Sequence, residues 1–350
     1  MDWVAGGRER LLRGVEEGVD IANVVISRLS VRCITLGPSL LTFLFHSVFR
    51  TRGDIDEGVV DPQQRVTLYD LRLFIECLLE RGCSFVSPAD ILAGLSPARL
   101  SALITFDDGY YNNHLVLPML REYGIPAVFF IASNNVMENR AFWWDVAYRE
   151  AMKSGRNGKE HRRLLRRLKA MPADMVESEL LEMFGRQSIR PVGDTDRPFT
   201  PAELADFARD EHVFLGNHTA DHAILVNYDR DGMRRQIVGC QRGIMEMTGI
   251  SPLIISYPNG DYSERVLTVC GELGFRLGVT IEPRRNPLLF SHDGNAGLRL
   301  GRFVPFGGRK TPLQFPYRDS GRLVISTAFS ALRMLGAEME PRTNHHLLQL

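Results

Sequence analysis

Apolar positions along this 350-residue chain recur in two rhythms, short continuous runs and longer stretches spaced at three and four, which predict buried strands alternating with amphipathic helices. Leu36 to Phe49 reads as a first strand. Thr67 to Arg81 follows as a helix whose apolar face is Leu68, Leu71, Phe74, Ile75 and Leu78. Cys83 to Val86 predicts a second short strand and Pro88 to Ala93 the start of another helix. Leu103 to Phe106 is an apolar run, then Asn113 to Tyr123 a helix ended by Gly124, then Pro126 to Ala132 a β-rich strand. Further strands are predicted at Val213 to Gly216, Leu253 to Tyr257 and Arg276 to Ile281, with helices at Arg230 to Met247 and Ser263 to Leu273 between them. Strand, helix, strand in succession implies parallel pairing, because parallel neighbours need a crossover and a helix is the usual one. A barrel and a doubly wound sheet both fit this α/β alternation.

The alternation breaks in three places. Residues 8 to 29 carry Leu11, Leu12, Val15, Val19, Ala22 and Ile26 at helical spacing, an amphipathic helix for the domain or a partner. Between Phe142 and Thr200 a charged, helical stretch looks inserted. Its basic run, His161 to Lys169, reads as one solvated helix face with Leu164, Leu165 and Leu168 turned inward; a patch for anionic lipid or phosphate is the alternative. A helix from Arg322 to Met334 precedes a polar tail. The expected organisation is thus an N-terminal helical extension (1–35), an α/β domain (36–310) with a helical insert at about 142–200, and a C-terminal helix and tail (311–350).

Composition removes several function classes. Lys+Arg and Asp+Glu balance at 42 each, so overall charge offers no reason to propose a nucleic-acid partner. The five cysteines are scattered and contain no C-x-x-C pair, which argues against a disulfide framework or a thiolate zinc site. The N-terminus has Asp2, Glu9, Glu16, Glu17 and Asp20 and no uninterrupted apolar core, so it does not read as a signal peptide. No run reaches the roughly 20 apolar residues of a membrane span. A cytoplasmic protein is expected, with peripheral membrane contact left open; no pattern indicates an oligomeric state.

Chemistry concentrates at two constellations. Asp107 and Asp108 end the apolar run Leu103 to Phe106, and adjacent carboxylates at a buried strand end are expensive unless a metal or hydrogen bonds hold them. About a hundred residues on, His218-Thr219-Ala220-Asp221-His222 follows Val213 to Leu215 and places two imidazoles four apart. Together they supply a carboxylate and two histidines for a divalent ion, with one acid to spare. Three protein ligands and an open position is the catalytic form of a zinc site. An H-E-x-x-H zincin is excluded, because Thr219 stands where its glutamate would be.

These residues resemble the polysaccharide deacetylase family. Its T-F-D-D-G motif is matched by Thr105 to Gly109 and its H-[ST]-x-x-H motif by His218 to His222. The similarity extends through Pro118 to Phe130, Phe142-Trp143-Trp144-Asp145 and Ser256-Tyr257-Pro258-Asn259-Gly260, covering roughly residues 40 to 305. The resemblance implies a distorted (β/α) barrel, here with a helical insertion, with its site at the strands' C-terminal ends. It implies that Asp108, His218 and His222 hold a divalent metal, zinc foremost by its ligand set, and that Asp107 is the general base. The backbone N–H of Tyr110 would serve the oxyanion, and Thr219 would brace the histidine loop. The implied reaction is removal of an N-acyl group, acetyl foremost, from an amino sugar or glycan.

Three departures from the family pattern are visible. Ser256 stands where many members have the arginine of R-x-P-[YF], although Tyr257-Pro258-Asn259-Gly260 resembles the Y-P-x-G branch and lets Tyr257 and Pro258 wall the pocket. The late L-x-H motif has no clear match, and His292 is the nearest candidate for the acid that protonates the leaving amine. Arg302 in Leu300-Gly301-Arg302-Phe303 matches an arginine of that branch and is the candidate replacement for the missing one. His46 reads equally as a pocket border or a satisfied strand-end histidine, Trp143 and Trp144 as packing residues of the insert, and Asp145 as a substrate group or a helix cap. A deformylase or other C–N amidohydrolase acting on a nucleotide- or lipid-linked sugar, and a sugar-binding pseudoenzyme, are the alternatives.

Overall fold

The computed structural model describes residues 39–61, 63–155, 158–288 and 295–307. The helices expected at 8–29 and from Arg322 to Met334, and His292, lie outside the described residues.

Strands and helices alternate as the apolar rhythm predicts. In chain order they are β1 (Leu40–Phe45), α1 (Arg52–Asp56), α2 (Leu68–Leu79), β2 (Ser84–Phe85), α3 (Pro88–Ala93), β3 (Ser101–Phe106), α4 (Leu117–Tyr123), β4 (Ala127–Ile131) and α5 (Ser133–Glu138). Then come α6 (Trp143–Lys153), α7 (Gly158–Lys169), α8 (Ala173–Phe184), α9 (Pro201–Phe207), β5 (Val213–Asn217), α10 (Arg230–Thr248), β6 (Ile254–Ser256), α11 (Glu264–Glu272) and β7 (Leu277–Val279). Local chemistry sets the helix starts. At α2, α3 and α9 the caps Thr67, Ser87 and Thr200 accept from the third helical residue, whose carboxylate returns the bond to the cap. Pro118 has no N–H and is tolerated only in a first turn, so the helix predicted from Asn113 begins as a 3₁₀ turn over Tyr111–Val116 and turns α-helical at Leu117.

The described strands form one parallel sheet in the order β1-β3-β4-β5-β6-β7. β1 runs level with β3 from Leu40↔Ser101 to Phe45↔Phe106. On the other edge of β3, β2 pairs with Ser101 and Ala102 and β4 with Ile104 to Phe106. Every residue of β1, β3 and β4 is buried, as strands covered on both faces require. Residues 300–303 then join the two ends of the order. Leu300 bridges β7 at Val279 and Phe303 bridges β1 at Phe43, with Phe303 N–H donating to the Thr42 carbonyl at 2.8 Å. The sheet thereby curls into a distorted (β/α) barrel. Several strands are shorter than predicted: β6 and β7 share only the three pairs from Ile254↔Leu277 to Ser256↔Val279, and Tyr257 and Pro258 already begin a tight turn.

Five helices lie between β4 and β5, and the middle three, α6 to α8, make up the insert. Leu164, Leu165, Leu168, Val176 and Leu180 pack with Phe142, Trp144, Phe49, Val60 and Tyr110, so the insert is seated where Tyr110 leaves β3. Arg162, Arg163 and Arg166 are exposed on the opposite face of α7, as the inward-leucine reading of that run requires. No helix of the described residues is long and apolar enough to cross a membrane.

Candidate active site

The C-terminal ends of β3 and β5 deliver the two constellations to one place. Asp107 still belongs to the ladder, its N–H bonding the Phe45 carbonyl at 2.8 Å, but Asp108 and Gly109 then take φ of 81° and 89°. That left-handed turn sends two consecutive carboxylates in different directions. Glycine is favoured at 109 on two counts, because a Cβ would also lie 3.1 Å from Ile131 Cδ1. After β5, Thr219 and His222 are left-handed too, at 62° and 50°. Such backbone costs about 1–3 kcal/mol per residue unless its surroundings hold it. Here Thr219 N–H donates to Asn217 Oδ1 at 2.9 Å and Ala223 N–H to Thr219 Oγ1 at 2.6 Å, which folds the loop back so that both imidazoles return to Asp108.

Asp108 Oδ1 lies 3.3 Å from His218 Nε2 and 3.4 Å from His222 Nε2. Neither oxygen of this buried carboxylate finds a hydrogen-bond donor among the described residues, the costly state that a cation relieves. His218 Nδ1 is 2.9 Å from the Ser256 carbonyl, which can only accept; the proton therefore sits on Nδ1 and Nε2 presents its lone pair to Asp108. Burial, with the neighbouring His218, pushes His222 down to about 3, so this ring is neutral as a ligand must be. His218 is lowered by burial yet raised overall by Asp107 and Asp108, an attraction for which a cation competes. The donor set of one carboxylate and two imidazoles, all ligand atoms within 4.8 Å of one another, fits a divalent metal.

Asp107 is turned onto Arg302, with its Oδ2 still 3.9 Å from His218 Nε2. The guanidinium forks onto it, Nη1 to Oδ1 at 2.7 Å and Nη2 to Oδ2 at 2.8 Å, and Ser256 Oγ donates to Oδ2 at 2.9 Å. Burial alone would raise this carboxyl, but the Arg302 charge, then His218 and the Arg302 hydrogen bonds, hold it well below the usual carboxylate range. Arg302 reaches it from the closing segment 300–303. Asn286 pins that segment, accepting from Gly301 N–H at 2.8 Å and donating to its carbonyl at 2.9 Å. Asn286 carried no motif, and only the closed barrel makes it visible.

The remaining residues fall into place by geometry. Tyr110 keeps its backbone at the turn, while its side chain is buried, accepting from Trp144 Nε1 and donating to Asp145 Oδ2, both at 2.7 Å. Asp145 also accepts from Asp61 N–H at 2.8 Å, so it is a buried tie rather than a free substrate group or a simple cap. Tyr257 and Pro258 are buried, and the Tyr257 hydroxyl donates to the Leu298 carbonyl at 2.9 Å, which makes Tyr257 core support for the adjacent Ser256 rather than an open pocket wall. His46 lies half-buried just past β1, its Nδ1 2.8 Å from Gln64 Oε1. Trp144 packs against His222 with ring centroids 4.4 Å apart. A groove bordered by Trp143, Leu168, Met171, Ile224 and Arg140 runs up to His222 between the insert and the barrel.

Comparison with known proteins places this arrangement. The sequence profile described as polysaccharide deacetylase matches residues 96–278, more than half of the chain. The chain is 21% identical over 224 residues to YxkH of Bacillus subtilis (strain 168), named for polysaccharide deacetylase; the match covers 63% of this chain and 60% of YxkH. The fold is similar to a polysaccharide deacetylase from Bacillus cereus at a TM-score of 0.52 and 13% identity, over 77% of this chain and 66% of that one. It is also similar to the Streptococcus pyogenes deacetylase PplD, solved with acetate, at 0.51 and 15%, over 77% and 94%.

Proposed function

This chain belongs to the polysaccharide deacetylase family, and from that premise we propose that it is a metal-dependent hydrolase removing an N-acyl group, acetyl foremost, from an amino sugar or glycan. The supporting observation is the split between the two adjacent acids: Asp108 turned to two histidines and without a donor, Asp107 turned to Arg302 and Ser256. Asp108, His218 and His222 would hold the ion, zinc by the character of the donors. A divalent ion there supplies Lewis acidity to an acyl carbonyl and lowers the pKa of water to about 7.

Asp107 stays ionised and takes a proton from the attacking water, with Arg302 and Ser256 fixing the plane of its carboxylate. The Tyr110 backbone N–H serves the developing oxyanion. The leaving nitrogen then needs a proton. Gln64 donates its amide N–H to the Leu44 and Pro305 carbonyls at 2.6 and 3.1 Å, which turns its Oε1 to His46 and places the His46 proton on Nδ1. With Nδ1 committed to Gln64, Nε2 is the His46 nitrogen left to pass a proton to the leaving amine, and we assign it that role in place of His292, which lies outside the described residues. Arg302 beside Asp107 supports catalysis over a binding-only protein, since it answers one of the two grounds for the latter, the missing third-motif arginine; the other is the acid, here assigned to His46.

The chain spans about 60% of the length of YxkH, so the carrier of the amino sugar is read from chemistry alone. Mass spectrometry of N-acylated amino sugars, free, nucleotide-linked and lipid-linked, incubated with zinc-loaded protein tests the reading. Loss of an acetyl mass by the wild type and not by Asp107→Asn is expected; a formyl loss instead would shift the reading to deformylation. Equal, negligible turnover by both proteins with retained sugar binding would refute it.

A further inference from the structure

The two histidines are oriented by different means. His218 is tied through Nδ1 to the Ser256 carbonyl, the usual arrangement for a metal-ligating imidazole. His222 Nδ1 is buried and finds no hydrogen-bond partner among the described residues, and its backbone is left-handed at φ 50°. Among the described residues no polar group on Nδ1 therefore sets the angle of this ring. What lies against it is the indole of Trp144, with centroids 4.4 Å apart and planes inclined at 57°. That indole is itself immobilised. It stacks on Phe142 at 5.2 Å and 18°, and its Nε1–H is held by the Tyr110 hydroxyl, which is held in turn by Asp145. Asp145 is fully buried and also ties the backbone of Asp61.

We infer that Trp144 is a positioning residue for the metal ligand His222, supplying through a locked aromatic face the orientation that the Ser256 carbonyl supplies to His218, so that the helical insert is part of the metal centre. This rests on the reading of His222 as a ligand. The insert's Leu164, Leu168 and Leu180 share one core with Phe49, Val60 and Tyr110, so the helices and the indole lock are packed onto the barrel together. Phe142-Trp143-Trp144-Asp145 then has a division of labour. Phe142 and Trp144 stack, Trp144 meets the ligand, and Asp145 locks the tyrosine that locks the indole.

The test is zinc affinity and dissociation rate of the full chain, by competition with a chromophoric chelator, together with the electronic spectrum of the cobalt(II) form. Trp144→Ala is expected to weaken zinc binding about 10–100-fold, the usual effect of losing an outer partner of a ligand, mostly through faster release, and to alter the cobalt bands. Tyr110→Phe, which frees the indole N–H, moves both readouts in the same direction by less. Leu165→Ala, in the same core but outside the groove that reaches His222, lowers thermal stability and leaves zinc affinity unchanged. A folded Trp144→Ala protein with wild-type affinity and cobalt spectrum, behaving as Leu165→Ala does, overturns the proposal; should Trp144→Ala not fold, an unchanged release rate in Tyr110→Phe overturns it. His222→Ala separates the two levels: if it keeps wild-type zinc affinity, the metal site itself is wrong, whereas if it loses zinc while Trp144→Ala does not, only the role of Trp144 is.

Discussion

Replacing Arg302 by methionine is the most demanding test of the base. Arg302 is fully buried and all five of its N–H groups are used: Nε on the Thr280 carbonyl, Nη1 on Thr105 Oγ1 and Asp107 Oδ1, Nη2 on Asp107 Oδ2 and Ser256 Oγ. Methionine keeps much of the volume and removes the charge, leaving Asp107 buried with Ser256 as its remaining neutral donor. Stranding one member of a buried pair costs about 3–5 kcal/mol, which for a chain of this size lowers the melting temperature by roughly 4–7 °C. The pH dependence gives a sharper reading. In the native fold the Asp107 pKa lies below its ordinary 3.8, so its ionised form stabilises the fold above that value and the contribution is lost only as pH falls through the depressed value. Without Arg302 the opposing burial dominates, the pKa rises, and the proton remains on Asp107 to higher pH. The acid limb of kcat/KM must then move upward, with a loss of about 10² at neutral pH as the base is both mis-set and partly protonated. Arg302→Lys, a point charge with three donors and no planar fork, recovers some stability but little rate. A methionine variant with the native melting temperature and an unmoved acid limb would refute the assignment of Arg302 to the base.

Three further outcomes are expected. His46→Ala lowers kcat by about 10²–10⁴ on a substrate with a poor leaving amine while zinc content stays native, as metal analysis and steady-state kinetics will check. Chelation lowers the melting temperature, since an ion held at a hundred times its Kd contributes about 2.7 kcal/mol to the folded state, and Asp108→Asn removes the difference between treated and untreated protein. In the metal-free protein His222 has a folded pKa of about 3 against an ordinary 6.5, so the unfolded chain takes up its proton first. Thermal stability should therefore fall as pH drops from 6.5 towards 3, and His222→Gln should flatten that slope; an identical slope in both proteins would count against a buried neutral His222.

How far the chain could be read in advance follows from the range over which each interaction acts. The strand–helix alternation and the helix starts are local, and Thr67 with Asp70 or Pro118 with Leu117 can be recognised from neighbours alone. Strand length is not local. Leu253 and Ile281 extend apolar runs, yet both are exposed, because pairing between β6 and β7 stops at three residues and the chain turns at Tyr257. The same limit explains Tyr257. Its place beside a motif suggested a pocket wall, whereas its hydroxyl is committed to Leu298 in the core.

The site divides along the same line. Asp107, Asp108, His218 and His222 were visible because each acid or imidazole sits within a short motif at a strand end. Their partners come from other parts of the barrel and have no pattern of their own. Ser256 looked like a loss because an arginine was expected at that point in the chain. In space an arginine comes instead from the segment that closes β7 onto β1, two places around the barrel from β6, and Ser256 keeps two smaller duties: its hydroxyl accepts from Arg302 and donates to Asp107, and its carbonyl fixes the tautomer of His218. A serine is short enough to leave room for a guanidinium arriving from that segment. An arginine at both positions would place two buried cations against one carboxylate, which burial does not tolerate. Asn286, which anchors Gly301 and so fixes where Arg302 enters, thereby sets how the proposed base Asp107 is held as much as any motif residue does.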